Sequence, residues 1–251
     1  NHELYKINNF NLKSFSVDEG VLFESIFDGD KGKDLYNLKF LKINEDKKRQ
    51  SIVFKKSKIN YRKSFWDLDS NFEKKIIQFD NNFSEIFINN LKLSSKNRFV
   101  NISALIKNKS FSELKLNIEN VNLNEFAPKY SNFQFSGLMD LNLFFRKNIN
   151  ETNLNLISKV KDLRVNNTDF GALNISLSNN FDISDNYKLN LSIVDKKRNK
   201  IINSHGNIYG DKIDSFDIDF DIKDLDISFL SKLSEKSIND IEGLASGNFK
   251  L

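Results

Sequence analysis

The chain has 251 residues, enough for one large all-β unit or two smaller ones. Its 38 basic and 34 acidic residues leave a net charge of +4, too small and too evenly mixed to point to nucleic acid. There is no cysteine, which excludes a disulfide framework, a zinc site built on thiolates and a thiol nucleophile, and suits an oxidising compartment.

Apolar and polar residues alternate along most of the chain, and Phe, with 24 positions, dominates the aromatic residues. A period of two is the mark of a half-buried strand, because successive side chains leave opposite faces of a sheet. Asn and Asp, which fill many polar positions, are poor strand formers, so alternation rather than propensity carries the assignment. In chain order, short strands are predicted around Ile7, Phe10 and Leu12, then Val21 and Phe23, then Tyr36, Leu38 and Phe40, then Ile52 and Phe54. This first part, residues 1–65, is an irregular β segment; residues 66–251 are more regular.

Beyond it, Ile86 and Ile88 alternate, followed by Leu91 and Leu93, Val100 to Ile106, and Leu114, Leu116 and Ile118. Phe133 and Phe135 precede Gly137, with Met139, Leu141, Leu143 and Phe145 after it. Leu154 and Leu156, Leu163 and Val165, and Leu173, Ile175 and Leu177 follow. Tyr187, Leu189, Leu191 and Ile193 form another strand. In the clearest one, Phe216, Ile218, Phe220 and Ile222 face one way and Asp217, Asp219 and Asp221 the other. Turn-forming clusters such as 148–150 and 195–200 separate these runs, which predicts an antiparallel meander of roughly 14 strands. Lys47-Lys48-Arg49 and Lys196-Lys197-Arg198 each lie beside acids and read as solvated hairpin tips.

Two short helices are expected, at Asn124–Tyr130, which holds the only proline, Pro128, and at Ser228–Lys236, capped by Asp226 or Ser228. They expose a repeat. Leu114 to Phe126 and Ile218 to Leu230 both run strand, shift of face, second apolar pair, short helix. Both continue to an apolar-Gly step at Gly137 and Gly243, so the copies, near 114–145 and 218–251, lie about 105 residues apart.

Motifs of chemistry are sparse. Asp28 to Asp34 lacks the acidic positions of an EF-hand and reads as a turn. The two histidines, His2 and His205, have no metal-binding context, and no phosphate loop or nucleophile elbow occurs, so no enzyme, metal or cofactor is expected. No run of about 18 apolar residues is present, so no membrane-spanning helix is predicted. The chain opens at Asn1 without a signal-peptide pattern and stops within a strand-like one, which reads as a piece of a longer protein.

Trp66 to Asn71, Ile86 to Leu93, Val100 to Ser103, Leu116 to Leu123, the Gly137 step, Leu163 to Leu173 and His205 to Ile208 together resemble the repeat region of the TamB family. That is the inner-membrane-anchored subunit of the translocation and assembly module, related to AsmA-like and other bridge-like lipid transfer proteins. The resemblance covers about 66–251 and consists of alternation and punctuation. It implies an elongated antiparallel sheet curled into a U-shaped trough, the β-taco, in the periplasm. Phospholipid acyl chains would lie in the trough, and an Omp85-type outer-membrane barrel would be its partner in outer-membrane biogenesis. The residues it assigns to the lining are Leu114, Leu116, Ile118, Phe133, Phe135, Met139, Leu141, Leu143, Leu154, Leu156, Leu173, Ile175, Leu177, Leu189, Leu191, Ile193, Phe216, Ile218, Phe220 and Ile222. Alternation by itself describes a β-sandwich equally well, in a stalk, adhesin or interaction scaffold.

Overall fold

A computed structural model describes residues 7–29, 35–61, 64–68, 76–108, 110–125, 134–166, 168–179, 186–209, 216–228 and 242–251. The chain is all-β and antiparallel, with 17 strands among the described residues where the sequence suggests about 14. The difference comes mainly from the first part, whose short strands alternate poorly. A 3₁₀ turn lies at Leu123–Glu125, where the first helix was expected to begin, and Ser228, at the start of the second, is also in 3₁₀ conformation. The rest of that expected helix, most of the second, Phe133 and most of the calcium-like loop lie outside the described residues. At the start of the second, the Ser228 amide donates to the Asp226 carboxylate at 2.9 Å. The strands divide into two compact units, Asn1–Asn117 with Lys147–Ile149, and Ile118–Arg146 with Asn150–Leu251.

In the first unit β1 (Asn8–Val17), β2 (Gly20–Asp28) and β3 (Leu35–Asn44) pair in order. Strand β3 then meets two short strands end to end, β4 (Arg49–Phe54) and β5 (Ser57–Tyr61). These pair with β7 (Ile77–Asp80) and β6 (Ser64–Leu68) respectively, and both join β8 (Glu85–Ser95), which pairs with β9 (Arg98–Lys107). Phe40 lies between Phe23 and Phe54 on one face, with ring centroids 5.1 and 6.2 Å away. On the opposite face Leu41 pairs with Val53, and both are buried. Strand β3 is therefore apolar on both sides, which blurs its alternation. The break between β4 and β5 is held by Ser57, only 1% exposed. Its hydroxyl accepts the Lys39 amide at 2.9 Å and lies 2.8 Å from the Lys55 carbonyl, to which it donates.

The second unit begins within β10 (Phe111–Asn122) and continues through β11 (Phe135–Lys147), β12 (Thr152–Val165), β13 (Thr168–Asn179), β14 (Asn186–Val194), β15 (Lys200–Tyr209), β16 (Phe216–Asp226) and β17 (Leu244–Lys250). From β12 onward each strand pairs antiparallel with the next. The two basic clusters sit at hairpin tips, as expected. Asp46 accepts the Lys48 and Arg49 amides at 2.6 and 2.8 Å, and Asp195 accepts the Asn199 amide at 2.7 Å. Those amide bonds hold both carboxyls below the ordinary aspartate range.

The shift of face seen in the repeat is a backbone bulge, and it occurs four times. Ile88-Asn-Asn90-Leu91, Ile118-Glu-Asn120-Val121, Val160-Lys-Asp162-Leu163 and Ile222-Lys-Asp224-Leu225 share one pattern. Asn90, Asn120, Asp162 and Asp224 are left-handed, with φ of 57°, 54°, 52° and 50°. Asn and Asp tolerate that region better than other residues with a Cβ. Across from three of these bulges, two residues fill the place of one between Ile88 and Leu91, Val160 and Leu163, and Ile222 and Leu225. The insertion keeps the apolar residues before and after it on one face. Three bulge amides are held by a side chain of the next strand. Asn90 donates to Ser103 at 3.2 Å, Asn120 to Asp140 at 2.9 Å and Asp224 to Ser246 at 2.9 Å. At Asp162 the residue opposite is Ala172, which offers no oxygen.

Asp140 is the most connected of these latches. Its carboxylate takes the Asn120 amide and lies 2.9 Å from Lys161 Nζ, in the bulge of β12, while its carbonyl accepts the Ser158 hydroxyl at 3.2 Å. Burial pushes its carboxyl up, but the Asn120 amide and the Lys161 ammonium outweigh that and hold it below the ordinary range. A depressed folded-state value stabilises above the unfolded value of about 3.9, and that stabilisation is lost as pH falls through the folded value. Urea unfolding from pH 6 to pH 2 is therefore expected to show a fall in stability below about pH 4, and Asp140→Asn is expected to flatten part of it. An unchanged pH profile in Asp140→Asn excludes the latch. Asn120→Val, forced to positive φ, is expected to lose about 1–2 kcal/mol, while Asn120→Gly stays near wild type. Equal melting temperatures for the two variants exclude the left-handed role.

Candidate functional site

The apolar residues of the second unit stand in rows across the ladder. Leu156, Leu177, Leu189, Gly206 and Ile218 stand opposite one another in turn. The next row runs Ser158, Ile175, Leu191, Ser204, Phe220 and Phe249. The third runs Val160, Leu173, Ile193, Ile202, Ile222 and Gly247. Phe220 and Phe249 stack with centroids 4.7 Å apart. Leu156, Ile175, Leu177, Leu189, Leu191 and Phe220 are only half-buried.

Beyond the bulges the same face is covered. Val160, Leu163, Val165, Phe170 and Leu225 form a buried cluster, with Leu123, Met139, Leu173, Ile193, Ile202 and Ile222 packed against it. One end of the face is thus closed by its own side chains, and the rest is open enough to leave aliphatic groups half-exposed.

The opposite face is polar. Its rows run Asn155, Ser178, Lys188, Asn207, Asp217; then Ile157, Ser176, Asn190, His205, Asp219, Lys250; then Lys159, Asn174, Ser192, Asn203, Asp221, Asn248. The three aspartates of β16 therefore stand where the alternation predicts. Lys250 Nζ lies 2.8 Å from Asp217, which raises the lysine's affinity for its proton, and His205 Nε2 lies 3.8 Å from Asp219.

The expected lining residues distribute as follows. Leu156, Leu173, Ile175, Leu177, Leu189, Leu191, Ile193, Ile218, Phe220 and Ile222 share the rows just described, and Leu154 shares their side by alternation. Phe216, 48% exposed, faces the same way opposite Ile208. On β11 Phe135, Met139, Leu141 and Leu143 alternate. A Cβ placed on Gly137 would meet Val160 Cγ1 at 2.7 Å, which puts this side of β11 toward the same face. Ile118 is buried in the second unit, while Leu114 and Leu116 belong to the first. Phe133 lies outside the described residues.

The list of apolar residues omits Ser158, Ser204 and Gly206, which interrupt two of the rows. Alternation around Ile202 and Ile208 places Ser204 and Gly206 on the apolar face, but their polarity and size hid them. A Cβ on Gly206 would come within 2.0 Å of the Asp217 carbonyl, so β16 approaches β15 closely there. Ser204 is 2% exposed, and among the described residues its hydroxyl has no hydrogen-bond partner. Removing an unpaired buried hydroxyl relieves its desolvation penalty, so Ser204→Ala is expected to gain about 1 kcal/mol, whereas Ser158→Ala, losing the bond to Asp140, is expected to lose about 1 kcal/mol. Urea unfolding of the two variants checks the pair, and a loss in Ser204→Ala overturns the assignment. Compared with protein-family models, curated proteins and solved structures, the chain matches none.

Proposed function

We propose that the second unit is a stretch of lipid-carrying track, with its half-exposed apolar rows as the floor for phospholipid acyl chains. The observation that carries this reading is a six-strand apolar face, β12 to β17, backed by a polar one and, among the described residues, half-exposed over Leu156, Ile175, Leu177, Leu189, Leu191 and Phe220. A contiguous open apolar face of this kind is uncommon unless something covers it. An acyl chain suits it because the wall needs no directional partners, and each CH₂ kept from water contributes about 0.8 kcal/mol. Transfer of tails from a bilayer to such a face is nearly neutral, which lets lipid slide along the rows.

The wider reading follows the resemblance to the TamB family. The track would curl into a trough within an inner-membrane-anchored periplasmic protein and would carry phospholipid between the two membranes. It would support outer-membrane biogenesis beside an Omp85-type barrel, without catalysis. A β-sandwich needs a second sheet seated on the same rows.

Photo-crosslinking residues at Leu141, Leu191 and Phe220 are expected to capture phospholipid in membranes, while one at Asn190, on the polar face, captures none. Adducts at none of the three apolar positions, or equally at Asn190, reject the track. Leu191→Asp is expected to lower lipid transfer about tenfold, because burying a carboxylate against acyl chains is strongly unfavourable. Transfer at the wild-type rate, with normal protein level, rejects the mechanism.

A further inference from the structure

The polar face of the second unit is not a uniform solvated surface. A groove of about 690 Å³ crosses β12 to β15, with Lys159, Lys188 and Lys200 along it and Asn174, Asn190 and His205 in its lining, beside Ile157 and beside Ile175 and Leu191 of the apolar rows. The lining contains no Asp or Glu. Among the described residues these three lysines form no ion pair, whereas Lys161, Lys196 and Lys250 of the same unit each hold an aspartate. Three lysines spaced along one groove whose lining holds no acid favour an extended ligand with more than one anionic group.

Between the lysines the ladder presents a comb of amides and hydroxyls. Asn174 Nδ2 donates to Ser192 at 3.5 Å, and Asn190 Nδ2 donates to Ser176 at 3.3 Å. Each of these bonds uses one amide hydrogen and one lone pair, leaving the amide oxygen and the hydroxyl hydrogen for a ligand. Neighbouring strands set the comb at about 4.8 Å intervals, close to the advance of one sugar ring along an extended glycan. A second groove of about 600 Å³ shares Asn203 and His205 and continues over β16 and β17, but Asp219 and Asp221 line it. The face therefore changes sign at His205, and a ligand's anionic groups are confined to the β12–β15 side.

We propose that this groove binds an oligosaccharide bearing phosphate or carboxylate groups. The comb meets the hydroxyls and the lysines meet the anions. No Phe, Tyr or Trp lines the groove, and the single imidazole of His205 at its edge is no platform for a run of stacked nucleic-acid bases. The strand backbones here are engaged in the ladder, so an acidic peptide finds no edge to extend. The proposal rests on the lysines and amides of the polar rows and does not use the apolar rows of the lipid track.

The test titrates the ¹⁵N-labelled full chain with a phosphorylated mannose pentasaccharide, its phosphate-free counterpart, inorganic phosphate and a hexa-aspartate peptide. The phosphorylated glycan is expected to bind at least about tenfold more tightly than any of the other three, more weakly at high salt. Amide shifts are expected at Asn174, Ser176, Asn190 and Asn203. The triple variant Lys159→Gln, Lys188→Gln, Lys200→Gln is expected to keep the wild-type melting temperature and lose about tenfold in affinity. Equal binding of inorganic phosphate or hexa-aspartate overturns the proposal, as does undiminished binding by the triple variant. The same glycan carried on vesicle lipid separates the sources: tighter binding there assigns a lipid headgroup, and equal binding assigns a soluble glycan.

Discussion

A strand sends alternate side chains to opposite faces, so one inserted residue exposes every apolar side chain that follows it. The left-handed residues at Asn90, Asn120, Asp162 and Asp224 remove that consequence. Each absorbs the extra residue in a bulge, and Leu91, Val121, Leu163 and Leu225 return to the face of Ile88, Ile118, Val160 and Ile222. The buried cluster of the second unit depends on this return, because Leu163, Val165 and Leu225 all lie beyond a bulge. Without it, those three side chains would point to water and their polar neighbours into the cluster.

The latches explain why the device recurs with the same residue types. A bulge leaves an amide without a ladder partner, and that amide has to be met by water or by a side chain. Ser103, Asp140 and Ser246 supply the missing acceptor from the following strand. One requirement is thus split between two strands: Asn or Asp to adopt positive φ, and a short oxygen-bearing side chain opposite. Asp140 adds a third strand through Lys161, tying the bulge of β10 to that of β12.

The all-β antiparallel character was legible because alternation is a local signal that tertiary context did not override in β12 to β16. Which face Phe216 to Ile222 present was legible for the same reason. Less of the first unit could be read, since β3 is apolar on both sides and β4 to β7 are only four to six residues long. The repeat was visible in two copies, but Ile88 to Leu93 and Val160 to Val165 carry it too. These were harder to see because no helix-like segment follows them to mark the end of the motif. Ser158, Ser204 and Gly206 were invisible as parts of the apolar face, because a search for apolar residues passes over them; only the register places them there. The polar groove was equally hidden. Lys159, Lys188 and Lys200 lie on three different strands, and only the register shows that they border one groove.

Those small residues also bear on what can cover the apolar face. Two sheets that pack face to face interdigitate side chains from both inner surfaces at close to crystal density. A rigid partner sheet laid on the row from Ser158 to Phe249 would meet Ile175 and Leu191 as a ridge, flanked by the smaller Ser158 and Ser204. Both serines are buried, and the backbone of β16 fills the space beside Gly206, so the rows vary in height without an open notch. A covering sheet has to match that relief with its own side chains. The small residues thus give the apolar face an uneven relief. It also breaks the flat, uninterrupted apolar surface from which strands of separate molecules build a steric zipper.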